Sequence, residues 1–357
     1  MESDFEVDEK FMLRAIELAR LGMGTVSPNP MVGCVIVHNG AIIGEGYHCK
    51  YGNPHAEVNA IHSVKNYGLL KYSTLYVTLE PCSHFGKTPP CADLILQHQI
   101  PKIVVGTIDP FAKVAGRGIA KLRNGGCAVI EGFCEEKCIE LNRRFFTFHQ
   151  QQRPFIILKW AQTADGFIDI DRSHEYYGQP TWITNDLSRI AVHKMRSDEA
   201  SILVGTNTAK KDNPSLTVRD WRGSAPVRIV IDRDLKLPQN LSLFDRSVPT
   251  IVYTSREGSN RTNLEFRKII FNGTEIPQIL ADLYQRGVLS LIVEGGQILL
   301  NSFIKCETWD EARMFVGKNI FHSGIKAPIF EGNLIRSEEL DDSWMFLFRR
   351  VKEADPK

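Results

Sequence analysis

The residues of this chain best suited to chemistry are His55 and Glu57, in the run His55-Ala56-Glu57, and two cysteines, Cys82 and Cys91. A neutral imidazole and two thiolates are strong ligands for one zinc ion. Three protein ligands leave the fourth tetrahedral position to water, the layout of a catalytic rather than a structural site. Glu57 stands two residues after the histidine, where a carboxylate can take the proton that such a water must lose and pass it on.

His-x-Glu, then Pro-Cys, then a second Cys, is the signature of zinc nucleobase deaminases. Many of them keep two residues between the cysteines. Here eight intervene, in Pro81-Cys82-Ser83-His84-Phe85-Gly86-Lys87-Thr88-Pro89-Pro90-Cys91. The bland alternative makes both cysteines buried, inert thiols and His55 a mere helix cap. It requires chance to set His-x-Glu at the opening of one helical run and the cysteines around the opening of the next, with suitable strands before each.

The 357 residues suffice for two domains, each with its own core. With 43 basic and 42 acidic residues the net charge is +1. That balance argues against affinity for a nucleic-acid backbone but leaves room for a local pocket that takes a phosphate. No apolar run reaches membrane-spanning length, and the acidic start Met1-Glu2-Ser3-Asp4-Phe5-Glu6 lacks the basic region of a signal peptide. The expectation is a cytoplasmic protein without nucleic-acid or membrane partners. Eight cysteines then read as reduced thiols. Cys34, Cys49, Cys127, Cys134, Cys138 and Cys306 are expected to pack or stay free. Cys134 and Cys138 lie four apart on an expected helix, but no third ligand accompanies them.

The elements that must carry these groups are legible from periodicity. Apolar residues recur at helical spacing after Asp8, a plausible N-cap, up to Gly22. Val32–Val37 and Ala41–Gly44 flank Asn39-Gly40, a strong hairpin signal. A helix is predicted from His55 toward Val64 and a strand at Thr74–Leu79. A second helix carries Cys91 behind two prolines, tolerated in or before a first turn. Strands at Lys102–Gly106 and Ala128–Glu131, a helix ending near Asn124 and a closing helix over Glu135–His149 complete an α/β sandwich. Both ligand-bearing helices then turn the positive ends of their dipoles toward the site, which favours thiolates.

Gln150-Gln151-Gln152-Arg153-Pro154 is a polar boundary. Beyond it, strands are predicted at Phe155–Trp160, Ala200–Gly205, Val227–Asp232, Thr250–Thr254 and Leu289–Glu294, and helices from Asn185 and after Glu294. This is a mostly parallel second α/β domain. After Glu311 strands are expected at 313–317 and 345–351. No G-x-G-x-x-G fingerprint is present, but Val204-Gly205-Thr206 and Glu294-Gly295-Gly296 put glycines at strand ends. There, backbone N–H groups and helix N-termini can meet a pyrophosphate. With Asp212-Asn213-Pro214-Ser215-Leu216-Thr217-Val218-Arg219 they suggest a phosphorylated substrate and a dinucleotide cofactor. Arg196 and Arg219 are candidates for gripping phosphate; equally, they are solvated surface arginines.

Both halves resemble one family, the bifunctional deaminase–reductase of riboflavin biosynthesis. In the first half the resemblance is carried by Pro28-Asn29-Pro30-Met31-Val32-Gly33, Gly44-Glu45-Gly46-Tyr47-His48, His55-Ala56-Glu57, Glu80 to Cys91, and Asp109-Pro110 with Val114-Ala115-Gly116-Arg117-Gly118. The eight-residue spacing is that family's. In the second half it is carried by Lys159 with Asp165-Gly166, Trp182-Ile183-Thr184, Arg196, Gly205-Thr206-Asn207-Thr208, Asp212 through Arg219 and Glu294-Gly295-Gly296. The match spans about residues 8–330 and is weaker around Ser173–Gln179 and Glu307–Asp310.

The resemblance implies an α/β chain in two domains. Residues 1–150 form a cytidine-deaminase-like α/β/α sandwich; residues 151–357 form an α/β domain similar to dihydrofolate reductase. It implies one zinc ion on His55, Cys82 and Cys91, Glu57 as the proton carrier, and Asn29, His48, His84 and Lys87 around the deaminase substrate. It also implies NADPH near Gln162, Trp182, Thr208, Asp212, Gly295, Gly296 and Gln297. The ribose phosphate falls near Arg196, Leu216 and Arg219, and Lys159 and Glu294 give polar help at the reduced carbon. The implied substrates are small phosphoribosyl pyrimidines, and a homo-oligomer is expected. Two rivals remain. One is a tRNA or nucleoside deaminase fused to an unrelated reductase, against which Lys87 and the near-neutral charge speak. The other is a structural zinc module with a dinucleotide-sensing domain, which would need a fourth protein ligand.

Overall fold

A computed structural model of the chain describes residues 6–83, 89–111, 115–171, 178 and 180–351. The chain divides into two compact units, residues 1–152 and 153–357.

The first unit runs α1 (Glu9–Arg20), β1 (Gly33–His38), β2 (Ala41–Tyr47), α2 (Ala56–Ser63), β3 (Thr74–Val77), α3 (Cys91–Gln97), β4 (Lys102–Val105), α4 (Arg117–Asn124), β5 (Ala128–Ile130), α5 (Glu135–Leu141) and α6 (Arg143–Gln151). Asp8 caps α1 by accepting the Lys10 N–H, and one stripe of the helix, including Met12, Ala15 and Ala19, is buried. Asn39 and Gly40 both take positive φ in the β1–β2 turn, as a tight hairpin turn demands. The sheet order is β2-β1-β3-β4-β5. β1 pairs antiparallel with β2 and β3, and β3, β4 and β5 are parallel.

Successive strand residues go to opposite faces. Cys34 and Ile36 pack with Ile61, Ile95 and Leu122 from α2, α3 and α4. Val35 and Val37 pack with Met12, Ile16 and Leu141 from α1 and α5. The unit is thus a three-layer α/β/α sandwich. The expected closing helix over Glu135–His149 is instead two helices broken at Asn142. The Asn142 side chain turns inward, accepts the Met31 N–H and donates to the Met31 carbonyl, both at 2.8 Å. A polar residue with two buried backbone partners is worth more there than a continuous helix.

The second unit contains β6 (Phe155–Gln162), β7 (Phe167–Asp169), α7 (Asp186–Asp198), β8 (Ser201–Val204), α8 (Thr206–Asp212), β9 (Val227–Ile231), β10 (Thr250–Thr254), β11 (Leu264–Lys268), α9 (Glu275–Gln285), β12 (Ser290–Glu294), α10 (Gln297–Lys305), β13 (Glu311–Val316), β14 (Ile325–Lys326), β15 (Gly332–Leu340) and β16 (Ser343–Arg350). Nine strands form one sheet, β11-β10-β9-β8-β12-β6-β13-β16-β15, while β14 pairs with β7. All pairs from β11 to β13 are parallel; the two involving β16 are antiparallel. One face packs Ile279, Leu283 and Phe303 of α9 and α10 on Ile156, Leu158 and Val293. The other packs Met195 of α7 and Ala209 of α8 on Ile157, Ile202 and Ile292.

The sequence reading did not anticipate the strands β11 and β15. Both are edges, and β15 is exposed along most of its length, so neither needs the apolar run that marks a central strand. The crossover from β6 to β8 leaves a place that β12 later fills. The carboxyl ends of β6, β8 and β12 therefore open side by side, where ligands bind in open parallel sheets.

Candidate active sites

In the first unit, His55 is the N-cap of α2, Cys91 is the first residue of α3, and Cys82 lies in the segment after β3. The His55 Nδ1 is 3.6 Å from the Cys82 Sγ and 3.4 Å from the Cys91 Sγ. Zinc ligands at about 2.3 Å (sulfur) and about 2.1 Å (nitrogen) that subtend a tetrahedral angle lie about 3.6 Å apart. Among the described residues, this is the one cluster of three or more such side chains, with ligand atoms all within 4.8 Å of one another. The Cys91 N–H, at the α3 N-terminus, donates to the Cys82 sulfur at 3.3 Å. The Cys91 thiol also donates to Cys82, and this together with His55 overcomes the cost of burial and holds Cys82 down to about 4. Cys91 is pushed up for the same reason, since it keeps the shared proton. A site that already stabilises one thiolate fits a cation that displaces the second thiol proton.

Glu57 lies in the first turn of α2, 3 % exposed. Burial, with a smaller contribution from the Cys82 charge, pushes its carboxyl up to about 7 against the opposing pull of His55. The Asn29 amide meets the His48 Nε2 at 3.1 Å, and the His48 Nδ1 is 3.2 Å from the Pro54 carbonyl. The consistent tautomer carries its proton on Nδ1, donates to Pro54 and accepts from Asn29. Burial pulls the His48 pKa down, the direction that favours this neutral tautomer. The ring stands edge-on to His55 at 5.4 Å. His84 and Lys87 lie outside the described residues.

Glu80 opens the stretch that carries the two cysteines. It is buried and accepts the N–H groups of Asp109, Gly116, Gly118 and Ile119 at 2.7–3.3 Å. It ties the start of α4 to the segment that carries Cys82.

In the second unit a cavity of about 1240 Å³ opens at the carboxyl ends of the central strands. Lys159, Trp182, Arg196, Thr208, Asp212, Leu216, Arg219, Glu294, Gly295, Gly296 and Gln297 all line it. Gln162 is not among its lining residues; its Oε1 accepts the Trp160 indole N–H at 2.9 Å. Lys159 and Glu294 face each other in the β6–β12 register. The Glu294 carboxylate accepts from Lys159 at 2.7 Å and from Arg196 at 2.8 Å. Burial pushes Glu294 up, but Arg196 and Lys159 outweigh it and hold the carboxyl down to about 2.

Gly205 and Gly296 are the N-caps of α8 and α10, and neither makes a side-chain cap. A Cβ on Gly295 would press on Leu299 at 3.2 Å, and the Gly296 N–H donates to the Thr208 hydroxyl at 3.0 Å. Two uncapped helix N-termini beside a glycine turn suit a pyrophosphate. Trp182, 59 % exposed, lies under the Arg189 guanidinium at 5.8 Å. Sequence reasoning missed His193 and Arg189, which also line the cavity. Their spacing from Arg196 was the available signal, because residues 189, 193 and 196 share a helix face.

Two family models match the chain: the cytidine and deoxycytidylate deaminase zinc-binding region over residues 5–107 and the RibD C-terminal domain over residues 154–343. The riboflavin biosynthesis protein RibD of Aquifex aeolicus is 42% identical over 325 residues, covering 90% of this chain and 89% of that protein. The same protein of Bacillus amyloliquefaciens is 38% identical, covering 98% and 94%. A crystal structure of a diaminohydroxyphosphoribosylaminopyrimidine deaminase/5-amino-6-(5-phosphoribosylamino)uracil reductase from Thermotoga maritima superposes with a TM-score of 0.86 at 39% identity, covering 96% of this chain and 98% of that one. Matched along nearly its whole length, with a deaminase-like first unit and a reductase-like second, the chain belongs to the RibD family of bifunctional deaminase–reductases of riboflavin biosynthesis.

Proposed function

We propose that residues 1–150 hydrolyse the exocyclic amine of 2,5-diamino-6-(5-phosphoribosylamino)pyrimidin-4(3H)-one. Residues 151–357 then reduce the ribosyl group of the product with NADPH, giving 5-amino-6-(5-phosphoribitylamino)uracil. The name carried by the Thermotoga relative supports this choice of substrates. The observation that carries the reading is the His55–Cys82–Cys91 triangle with Glu57 buried beside it. The enzyme is proposed to act in the cytoplasm as a homo-oligomer, on small phosphoribosyl pyrimidines, without nucleic acid or membrane. Among the described residues no helix is long and apolar enough to cross a membrane.

His55, Cys82 and Cys91 would hold a zinc ion, which would supply a water nucleophile of lowered pKa. Glu57 takes the proton on its carboxylate and delivers protons to the pyrimidine ring nitrogen and to the departing ammonia. A carboxyl buried beside the ligand triangle is placed for both transfers. Asn29, oriented by His48, hydrogen-bonds the pyrimidine edge, and His84 and Lys87 meet the ribose phosphate side.

Trp182, Thr208, Asp212 and the turn from Gly295 to Gln297 would hold NADPH, which would supply the hydride that reduces the first carbon of the opened ribose. Arg196, Leu216 and Arg219 hold the phosphate. In the opened form that carbon is doubly bonded to the amine nitrogen, which takes up a proton as the hydride adds, and Lys159, fixed by Glu294, would supply it. The test is NADPH oxidation by purified, zinc-loaded protein given the diaminopyrimidinone ribosyl phosphate. Oxidation is expected with wild type and not with Glu57→Gln, which should keep its zinc but release no ammonia. Turnover by Glu57→Gln would remove the role given to that residue.

A further inference from the structure

Helix α7 turns Arg189, His193 and Arg196 to one side, and successive turns grip successive residues of one extended segment. Arg196 donates to the Thr217 carbonyl at 3.3 Å. The His193 Nδ1 accepts the N–H groups of both Arg219 and Asp220, at 2.8 and 2.9 Å. Arg189 donates to the Asp220 carboxylate at 2.9 Å. The segment needs this support. Leu216, just before it, sits at φ +54°, a conformation uncommon for a bulky residue and one that persists only when its surroundings enforce it. The Arg219 guanidinium, on the cavity wall, bonds the hydroxyls of Ser215 and Thr217.

A ring nitrogen that accepts two N–H groups carries no proton, so His193 is neutral with its hydrogen on Nε2. The side chain is 1 % exposed. Water is thus poorly placed to satisfy the two N–H groups if the ring is lost. An arginine whose backbone drifts by an ångström no longer meets a phosphate held by its other contacts.

We propose that His193 is a positioning residue of the reductase half: its Nδ1 sets the backbone from which Arg219 reaches the substrate's phosphate. The inference rests on the reading of this cavity as the phosphoribosyl site. It predicts a defect confined to the phosphorylated substrate, which a mere core filler would not produce.

The test uses full-length His193→Ala and His193→Asn, supplied directly with 5-amino-6-(5-phosphoribosylamino)uracil and followed by NADPH oxidation. The same compound without its phosphate is run beside it. A thermal melt of each variant, with the KM for NADPH at the second unit's own site, checks that this unit is folded. His193→Ala is expected to raise KM for the phosphorylated compound at least tenfold. KM for NADPH, kcat and turnover of the dephosphorylated compound should stay within about twofold. His193→Asn, whose Oδ1 can accept in place of Nδ1, should recover most of the loss. Should the alanine variant fail to fold, His193→Leu, which fills the space without an acceptor, takes its place. An unchanged KM for the phosphorylated compound, an equal rise for NADPH, or an asparagine variant as poor as alanine would each overturn the inference and leave the proposed function standing. A wild-type protein that oxidises no NADPH with this uracil would overturn the proposed function, and the inference with it.

Discussion

Glu57 is buried and Glu294 half-buried, and their surroundings drive the two carboxyls apart. Around Glu57 desolvation dominates and the Cys82 charge adds to it, so the group rises to about 7. Around Glu294 two cations within hydrogen-bonding distance outweigh the same desolvation, so it falls to about 2. The first can carry a proton near neutral pH; the second is a fixed anion that orients Lys159 and Arg196. The sign of the second shift gives a stability prediction. A carboxyl depressed from 4.5 to about 2 stabilises the fold above pH 4.5 and loses that contribution as pH falls toward 2. The contribution is on the order of 3 kcal/mol. Glu294→Gln, which leaves the buried Arg196 and the half-buried Lys159 without their shared anion, is expected to cost about 3 kcal/mol at pH 7. The gap from wild type should shrink steadily between pH 4.5 and pH 2. Urea unfolding of both proteins across that range checks this; a gap independent of pH would mean that Glu294 does not titrate as the ion-pair geometry requires.

The placing of Cys82 depends on how closely α4 approaches its segment. Gly118, in the first turn of α4, has no room for a side chain: a Cβ there would lie 1.9 Å from the Pro81 carbonyl oxygen. Gly116, at the α4 N-cap, has open space around it but a φ of +74°. Two alanine substitutions two residues apart should therefore differ in kind. Gly116→Ala is expected to cost about 1 kcal/mol, from backbone strain alone. Gly118→Ala should cost several times more and lower zinc affinity, because it pushes Pro81 and Cys82 away from His55. Thermal unfolding and zinc content of the two variants decide the matter. Equal effects would show that the close approach does not fix Cys82.

At the scale of the whole chain, the described residues of each candidate site lie within one compact unit. His55, Glu57, Cys82 and Cys91 lie in residues 1–152, and the lining of the cavity lies in residues 153–357. The two activities should then be separable without cutting the chain. Removing zinc with a chelator is expected to stop ammonia release while the deaminated uracil, supplied directly, is still reduced at a rate within about twofold of the untreated protein. A matching fall in both rates would show that the second unit's site depends on metal in the first.

The sequence by itself picked out the His55, Cys82 and Cys91 that the structure brings together, the Glu57 buried beside them, and most of the elements that hold them. These are local properties: residue types with one dominant chemistry, at spacings that fall on helix starts and strand ends. Asn39-Gly40 and the periodic stripe of α1 were legible for the same reason. The pairing of Glu294 with Lys159 and Arg196 had no local signal, since 135 and 98 residues separate it from these partners, and only the β6–β12 register brings Lys159 and Glu294 together. The break at Asn142 was equally hidden, because its cause is Met31, 111 residues away. Edge strands such as β15 carry little apolar pattern because they bury little. Tertiary structure decided these features because each depends on a partner distant in the chain, and such partners meet only when the sheet closes and the helices dock.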